Sequence, residues 1–270
     1  MKALKIFLLI TITFGMFSCN NMDSNTVVEE KSIEDGREYY QLKVYTFDTE
    51  DQVSTTDTYL KEAYMPKLKD LGISPVGVFK QRPSEEDSVL RTYVLVPFNS
   101  IDQFLSLEEE LAKDEEYQTA GSDYINAPYD QPPYQRIESI LMKAFIDMPK
   151  MIATTMEGSR SERIYELRSY ESPTEQYYIN KVDMFNAGGE VKLFDRLEFN
   201  AVFYAEVISG AKMPNLMYMT TFTNQASRDE HWKAFGDAPE WKELIAMEKY
   251  KNNVSHADII FLYPTEYSDY

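Results

Sequence analysis

A carboxylate, a guanidinium and a phenol alternate at Glu166, Arg168 and Tyr170. Far upstream, Gln41, Lys43 and Tyr45 repeat the order. In an extended chain, residues two apart share a face, so each triplet lines one side of a strand. A cation beside a phenol in a semi-enclosed space can orient an acid or phenol-like ligand. The same groups can also satisfy one another as structural charge pairs, because buried ion pairs are as often architectural as catalytic. The two histidines carry less. His231, beside Trp232, could ligate haem or act as a general base. With no second ligand at metal spacing, it reads more readily as a helix-surface or core-edge residue. His256 carries less signal still. A Gly-rich phosphate loop, G-x-S-x-G, C-x-x-C and H-E-x-x-H are all absent from the sequence. Nucleophilic and metal-hydrolase chemistry is therefore unsupported. No catalytic residue is assigned, and no metal or cofactor is expected.

The elements that must position these residues are written twice. Tyr40–Tyr45 and Tyr165–Tyr170 alternate apolar and polar residues, the period of a half-buried strand. A helical segment follows each, interrupted by Pro66 in one copy and Gly188-Gly189 in the other. Two β-rich runs come next, Leu71–Phe79 and Arg91–Phe98 in the first copy, Leu197–Ala205 and Asn215–Phe222 in the second. A second helix spans Ile101–Thr119 or Ser227 to about Lys251. A last strand lies near Glu138–Phe145 or Ala257–Tyr263. Each copy reads βαββαβ, the ferredoxin-like order. One such sheet has helices on one face only and needs a cover on the other. The expected fold is α+β: two tandem ferredoxin-like units packed sheet-to-sheet as a pseudo-dimeric α/β barrel. The units are residues 37–148 and 162–270, with 149–161 as linker. On each opening strand the apolar face (Tyr165, Leu167, Ser169) is expected on the helices. The polar face is then expected to look into the space between the sheets. Thr119–Arg136, rich in proline and tyrosine, reads as a lid for the barrel mouth or a plain connector. The tyrosine-rich Tyr263–Tyr270 covers an edge or frays.

The first residues combine Lys2 and Lys5 with an apolar run, Ile6–Phe17, too short to span a bilayer. The run ends at Phe17-Ser18-Cys19, and Cys19 is the chain's one cysteine. This resembles a bacterial lipoprotein signal: residues 1–18 cleaved, Cys19 acylated, and residues 19–36 a flexible stalk. The bulky Phe17 departs from the commonest pattern. The expected place is the bacterial envelope, periplasmic or surface-facing, with membrane contact only through the anchor on Cys19. The net charge is −18. That argues against nucleic acid or an anionic bilayer surface as partner, since phosphate binding needs a basic face. With 43% hydrophobic and 14% aromatic residues, a large core is affordable.

Several of these residues resemble the NIPSNAP family of the dimeric α/β-barrel superfamily. The likeness rests on Tyr165-Glu-Leu-Arg-Ser-Tyr170, on Val202-Phe-Tyr204, on the strand before Arg228 and on Asp237-Ala-Pro-Glu-Trp241. It covers residues 160–263 well and 37–146 more loosely, with Gln41-Leu42-Lys43 for Glu-Leu-Arg and Tyr117 at the tryptophan position. The resemblance implies mostly fold. The superfamily includes small-molecule oxygenases and haem-handling enzymes, whereas NIPSNAP-type domains have no settled activity. Ligand-binding candidates are Lys43, Tyr45, Glu166, Arg168, Tyr170, Tyr204 and His231. The leading reading is a small organic ligand held between the sheets, or a role in assembly, with a homo-oligomer as a further partner state. One rival is a cofactor-poor oxygenase or isomerase acting on an aromatic or dicarbonyl substrate. The other is a structural interaction module.

Overall fold

A computed structural model describes residues 36–84, 87–154 and 156–270. The leader, Cys19 and nearly all of the stalk lie outside the described residues. Half one runs β1 (Tyr39–Phe47), α1 (Glu50–Tyr59), a π-turn (Leu60–Tyr64), α2 (Met65–Asp70), β2 (Gly77–Gln81), β3 (Leu90–Phe98), α3 (Ile101–Lys113), α4 (Glu115–Ala120), α5 (Ser122–Ile125) and β4 (Arg136–Ala144). Half two repeats the order with β5 (Ile164–Glu171), α6 (Glu175–Phe185), α7 (Glu190–Arg196), β6 (Ala201–Ser209), β7 (Asn215–Phe222), α8 (Gln225–Asp237), α9 (Pro239–Ala246) and β8 (His256–Pro264). The two helix breaks fall where sequence places them. The π-turn absorbs the disruption ahead of Pro66, which sits in the first turn of α2. Gly189, at φ +88°, separates α6 from α7 in a backbone region that favours glycine. Side chains of Thr49, Ser100 and Asn224 cap α1, α3 and α8.

The eight strands close into one barrel, in the order β1-β3-β2-β8-β5-β7-β6-β4. Each half contributes the same four-strand order. The halves join edge to edge, β2 on β8 and β4 on β6, all pairs antiparallel. Closure leaves neither half an open edge.

Barrel closure decides which strand face looks inward. Tyr40, Leu42, Val44, Tyr165 and Leu167 all lie in the apolar cluster that fills the barrel, with Phe79, Phe203 and Met219. Two further clusters lie between each half's sheet and its helices. The expected orientation of the opening strands is therefore reversed. The apolar face packs inside the barrel, and Lys43, Tyr45, Glu166, Arg168 and Tyr170 face the helices. An eight-stranded barrel has an interior just wide enough for side chains to fill. The helix layer, by contrast, offers partners to charged heads.

The linker and the Tyr263–Tyr270 segment close one end. Arg160 donates to the carbonyls of Thr265, Glu266, Ser268 and Tyr270. This holds the Tyr270 ring against Phe79 and Tyr165. Covering, not fraying, is the outcome. No helix of the described residues is long and apolar enough to cross a membrane. Phe203 is fully buried and packs edge-on to Tyr40. Phe203→Ala is expected to lower the unfolding free energy by about 3–5 kcal/mol. Ile259→Ala, at an exposed position, is expected to change it by less than about 0.5 kcal/mol. Urea denaturation of the two variants checks both.

Candidate site between the second sheet and its helices

The polar face of β5 meets α8 through a buried carboxylate. Glu166 is fully buried. It accepts from Arg168 Nε at 2.7 Å, Arg228 Nε at 2.8 Å, Arg228 Nη2 at 3.1 Å and Trp232 Nε1 at 2.9 Å. Arg228 and Trp232 stand one turn apart on α8, the spacing that lets both reach one point. Burial pushes the Glu166 carboxyl up. The donors from Arg228, Arg168 and Trp232 outweigh it and hold the group below its ordinary range.

Arg168 is the hinge of the network. Its guanidinium carbon lies 3.7 Å from the centre of the Trp232 ring, a close cation–π stack. Its Nη1 donates to the Tyr170 hydroxyl at 2.8 Å, and that hydroxyl lies 3.0 Å from the Tyr218 hydroxyl. Tyr218 is wholly buried. The two hydroxyls share one hydrogen bond that either can donate. Tyr170 thus links the Arg168 guanidinium to the buried Tyr218 hydroxyl.

Tyr170 lines a cavity of about 450 Å³ together with Arg168, Tyr218, Trp232, Phe235 and Trp241. Lys181 and Glu190 also reach it as a buried ion pair at 2.8 Å. Arg168 carries five N–H donors and engages only some of them with Glu166 and Tyr170. The wall is thus aromatic and rich in donors. Its chemistry suits a flat molecule bearing an acceptor oxygen.

Of the residues expected from sequence, Arg168 and Tyr170 line this cavity and Glu166 holds Arg168 from behind. Lys43 and Tyr45 do not join them. They belong to the helix layer of half one, where Lys43 pairs with Glu108 at 3.1 Å. The expectation of one pocket between the sheets lined by Lys43, Tyr45, Arg168 and Tyr170 is thereby corrected, because the reversed strand faces send each pair to its own helices. Tyr204 is buried in the aromatic cluster beside Tyr218 and stands off the cavity. His231 lies against Phe199 and Phe222, with Nδ1 2.6 Å from the Ser227 carbonyl oxygen, a core-edge position. Lys181 and Glu190 were not signalled by sequence. They pair across the Gly188-Gly189 break, which no linear spacing encodes.

A second cavity, about 440 Å³, opens at the barrel mouth over Leu42, Val44 and Leu167. Near it Glu171, His256 and Asp258 come together. Lys212 sits on Asp258 and lies 3.7 Å from Glu171, supplying the countercharge.

Residues 165–269 match the NIPSNAP family. No curated protein matches the chain. Among solved structures the chain is similar to a provisionally named monooxygenase from Fusobacterium nucleatum, with 10% identity, 85% of this chain and 93% of that one covered, and a TM-score of 0.56. A provisionally named monooxygenase from Lactobacillus acidophilus gives 12%, 84%, 94% and 0.51. A NIPSNAP family protein from Agrobacterium tumefaciens gives 15% identity, 39% and 96% coverage, and a TM-score of 0.35. At these identities the likeness to the two monooxygenase-named structures concerns the fold alone.

The carboxylate network sets a pH dependence. A depressed carboxylate stabilises the fold above its unfolded value, about 4.3, and that contribution is lost as pH falls through the lower folded value. Glu166→Gln leaves Arg168 without its carboxylate and Arg228 with Asp229 alone, and is expected to cost about 3 kcal/mol at neutral pH. It should also flatten the stability profile below about pH 4.3. Denaturation midpoints from pH 3 to 7 for both proteins check this.

Proposed function

We propose that this protein, whose residues 165–269 form a NIPSNAP domain, binds a small flat organic molecule with an acceptor oxygen between the sheet and helices of half two. The hydrogen-bonded pair of Arg168 and Tyr170, lining an aromatic cavity beside Tyr218, is the observation that carries this reading. An open, donor-lined cavity weighs against a purely structural module. A second reading, oxygenation of the bound molecule, draws on the fold relatives named as monooxygenases. Arg168 and Tyr170 would there hold the substrate as its oxyanion. Anchoring to the envelope through Cys19 belongs to the same proposal.

The chain has two tryptophans. They are Trp232 and Trp241, and both wall the cavity, so intrinsic emission reports its occupancy. Benzoate and 4-ethylphenol are expected to change that emission saturably. Tyr170→Phe is expected to weaken binding about tenfold, the worth of one hydrogen bond. Emission unchanged by either compound would overturn the cavity reading. Oxygen uptake with bound ligand separates enzyme from binding protein. Cys19→Ala is expected to move the protein from the membrane to the soluble fraction of its host.

A further inference from the structure

The duplication gives the open cavity a twin. Lys43 pairs with Val94 as Arg168 pairs with Tyr218. Tyr45 pairs with Ile137 as Tyr170 pairs with Ala257. Tyr117 and Trp241 hold the same place in the second helical segment of each half, and Tyr134 and Val254 each stand three residues ahead of those paired positions on the last strand. In half two, Tyr170, Trp241 and Val254 wall open space.

In half one the corresponding space holds a tyrosine from the chain itself. Tyr124, delivered by α5, lies flat on Tyr59 with ring centres 3.8 Å apart and planes 3° apart. It packs against Tyr134 at 5.7 Å, and its hydroxyl donates to the Tyr45 hydroxyl at 3.5 Å. Tyr134 is edge-on to Tyr45, and Tyr117 bonds Tyr59 through their hydroxyls at 2.7 Å. The carrying segment is tied down by Thr56 Oγ1 on the Pro133 carbonyl at 2.8 Å and Gln52 Nε2 on that of Pro132 at 3.0 Å. Thr119–Arg136 is thus packed over the helix layer of half one. Half two has no such segment. After α9 its chain makes a short turn, Glu248–Tyr250, and Tyr250 donates to Asp183 at 2.7 Å.

We propose that Tyr124 is a built-in phenol, seated where an external phenol sits in half two with its oxygen on Tyr170. The open cavity is then selective for a para-substituted phenol: ring between aromatic walls, hydroxyl toward Tyr170 and Arg168, substituent toward the opening. This rests on the binding reading above and names its ligand class. It also makes half one a site held shut by its own side chain.

The test is stoichiometry with 4-ethylphenol, by calorimetry on the full chain. The wild type is expected to bind one equivalent, and Tyr124→Ala two. Tyr124→Ser vacates the ring and hydroxyl positions alike, and is read the same way if the alanine variant fails to fold. A folded variant that still binds one equivalent overturns the built-in phenol. Independently of either variant, the wild type is expected to prefer 4-ethylphenol over ethylbenzene about tenfold; equal binding overturns the phenol assignment. Binding of benzoate without 4-ethylphenol also overturns that assignment and leaves the cavity reading standing. Binding of neither removes both.

Discussion

Closure of eight strands into a ring is the constraint on which everything else rests. Once β2 meets β8 and β4 meets β6, the interior is a fixed narrow space that side chains must fill. It takes the apolar faces of both opening strands, from Tyr40 and Leu42 to Tyr165 and Leu167. Every polar residue on the alternate positions must then turn outward. There it meets helices, which can supply counter-charges and indole donors where the barrel interior supplies hydrocarbon. The location of the candidate site follows from that turn.

Within the helix layer of half two, Glu166 does for the site what closure does for the fold. A fully buried carboxylate is tolerable only if its lone pairs are met, and two arginines and a tryptophan meet them. The same bonds hold Arg168 flat on Trp232 and aim it at Tyr170. A group that never touches the cavity thus orients the groups that do.

The halves diverge where function would need them to. Lys43 and Tyr45 keep the cation and phenol of Arg168 and Tyr170, yet Glu108 stands on α3 where Trp232 stands on α8, and Lys43 pairs with that acid. The inserted α5 lays Tyr124 into the remaining space. One half is packed shut by stacked tyrosines, and the other keeps room beside two tryptophans and a buried Lys181–Glu190 pair.

By itself the sequence determined the duplication, the βαββαβ order, the helix breaks at Pro66 and Gly188-Gly189, and the stock of aromatic and charged residues on alternate strand positions. These are local: period, punctuation and repeat are written in consecutive residues. It also marked Arg168 and Tyr170 as a pair sharing one face. Only the tertiary structure decided which way that face looks. Alternation shows that two faces differ, but not which of two enclosed environments each will meet. The pairing of Lys181 with Glu190, and the seating of Tyr124 against Tyr45 across 79 residues, likewise depend on how helices lie on a closed barrel, which no spacing along the chain records.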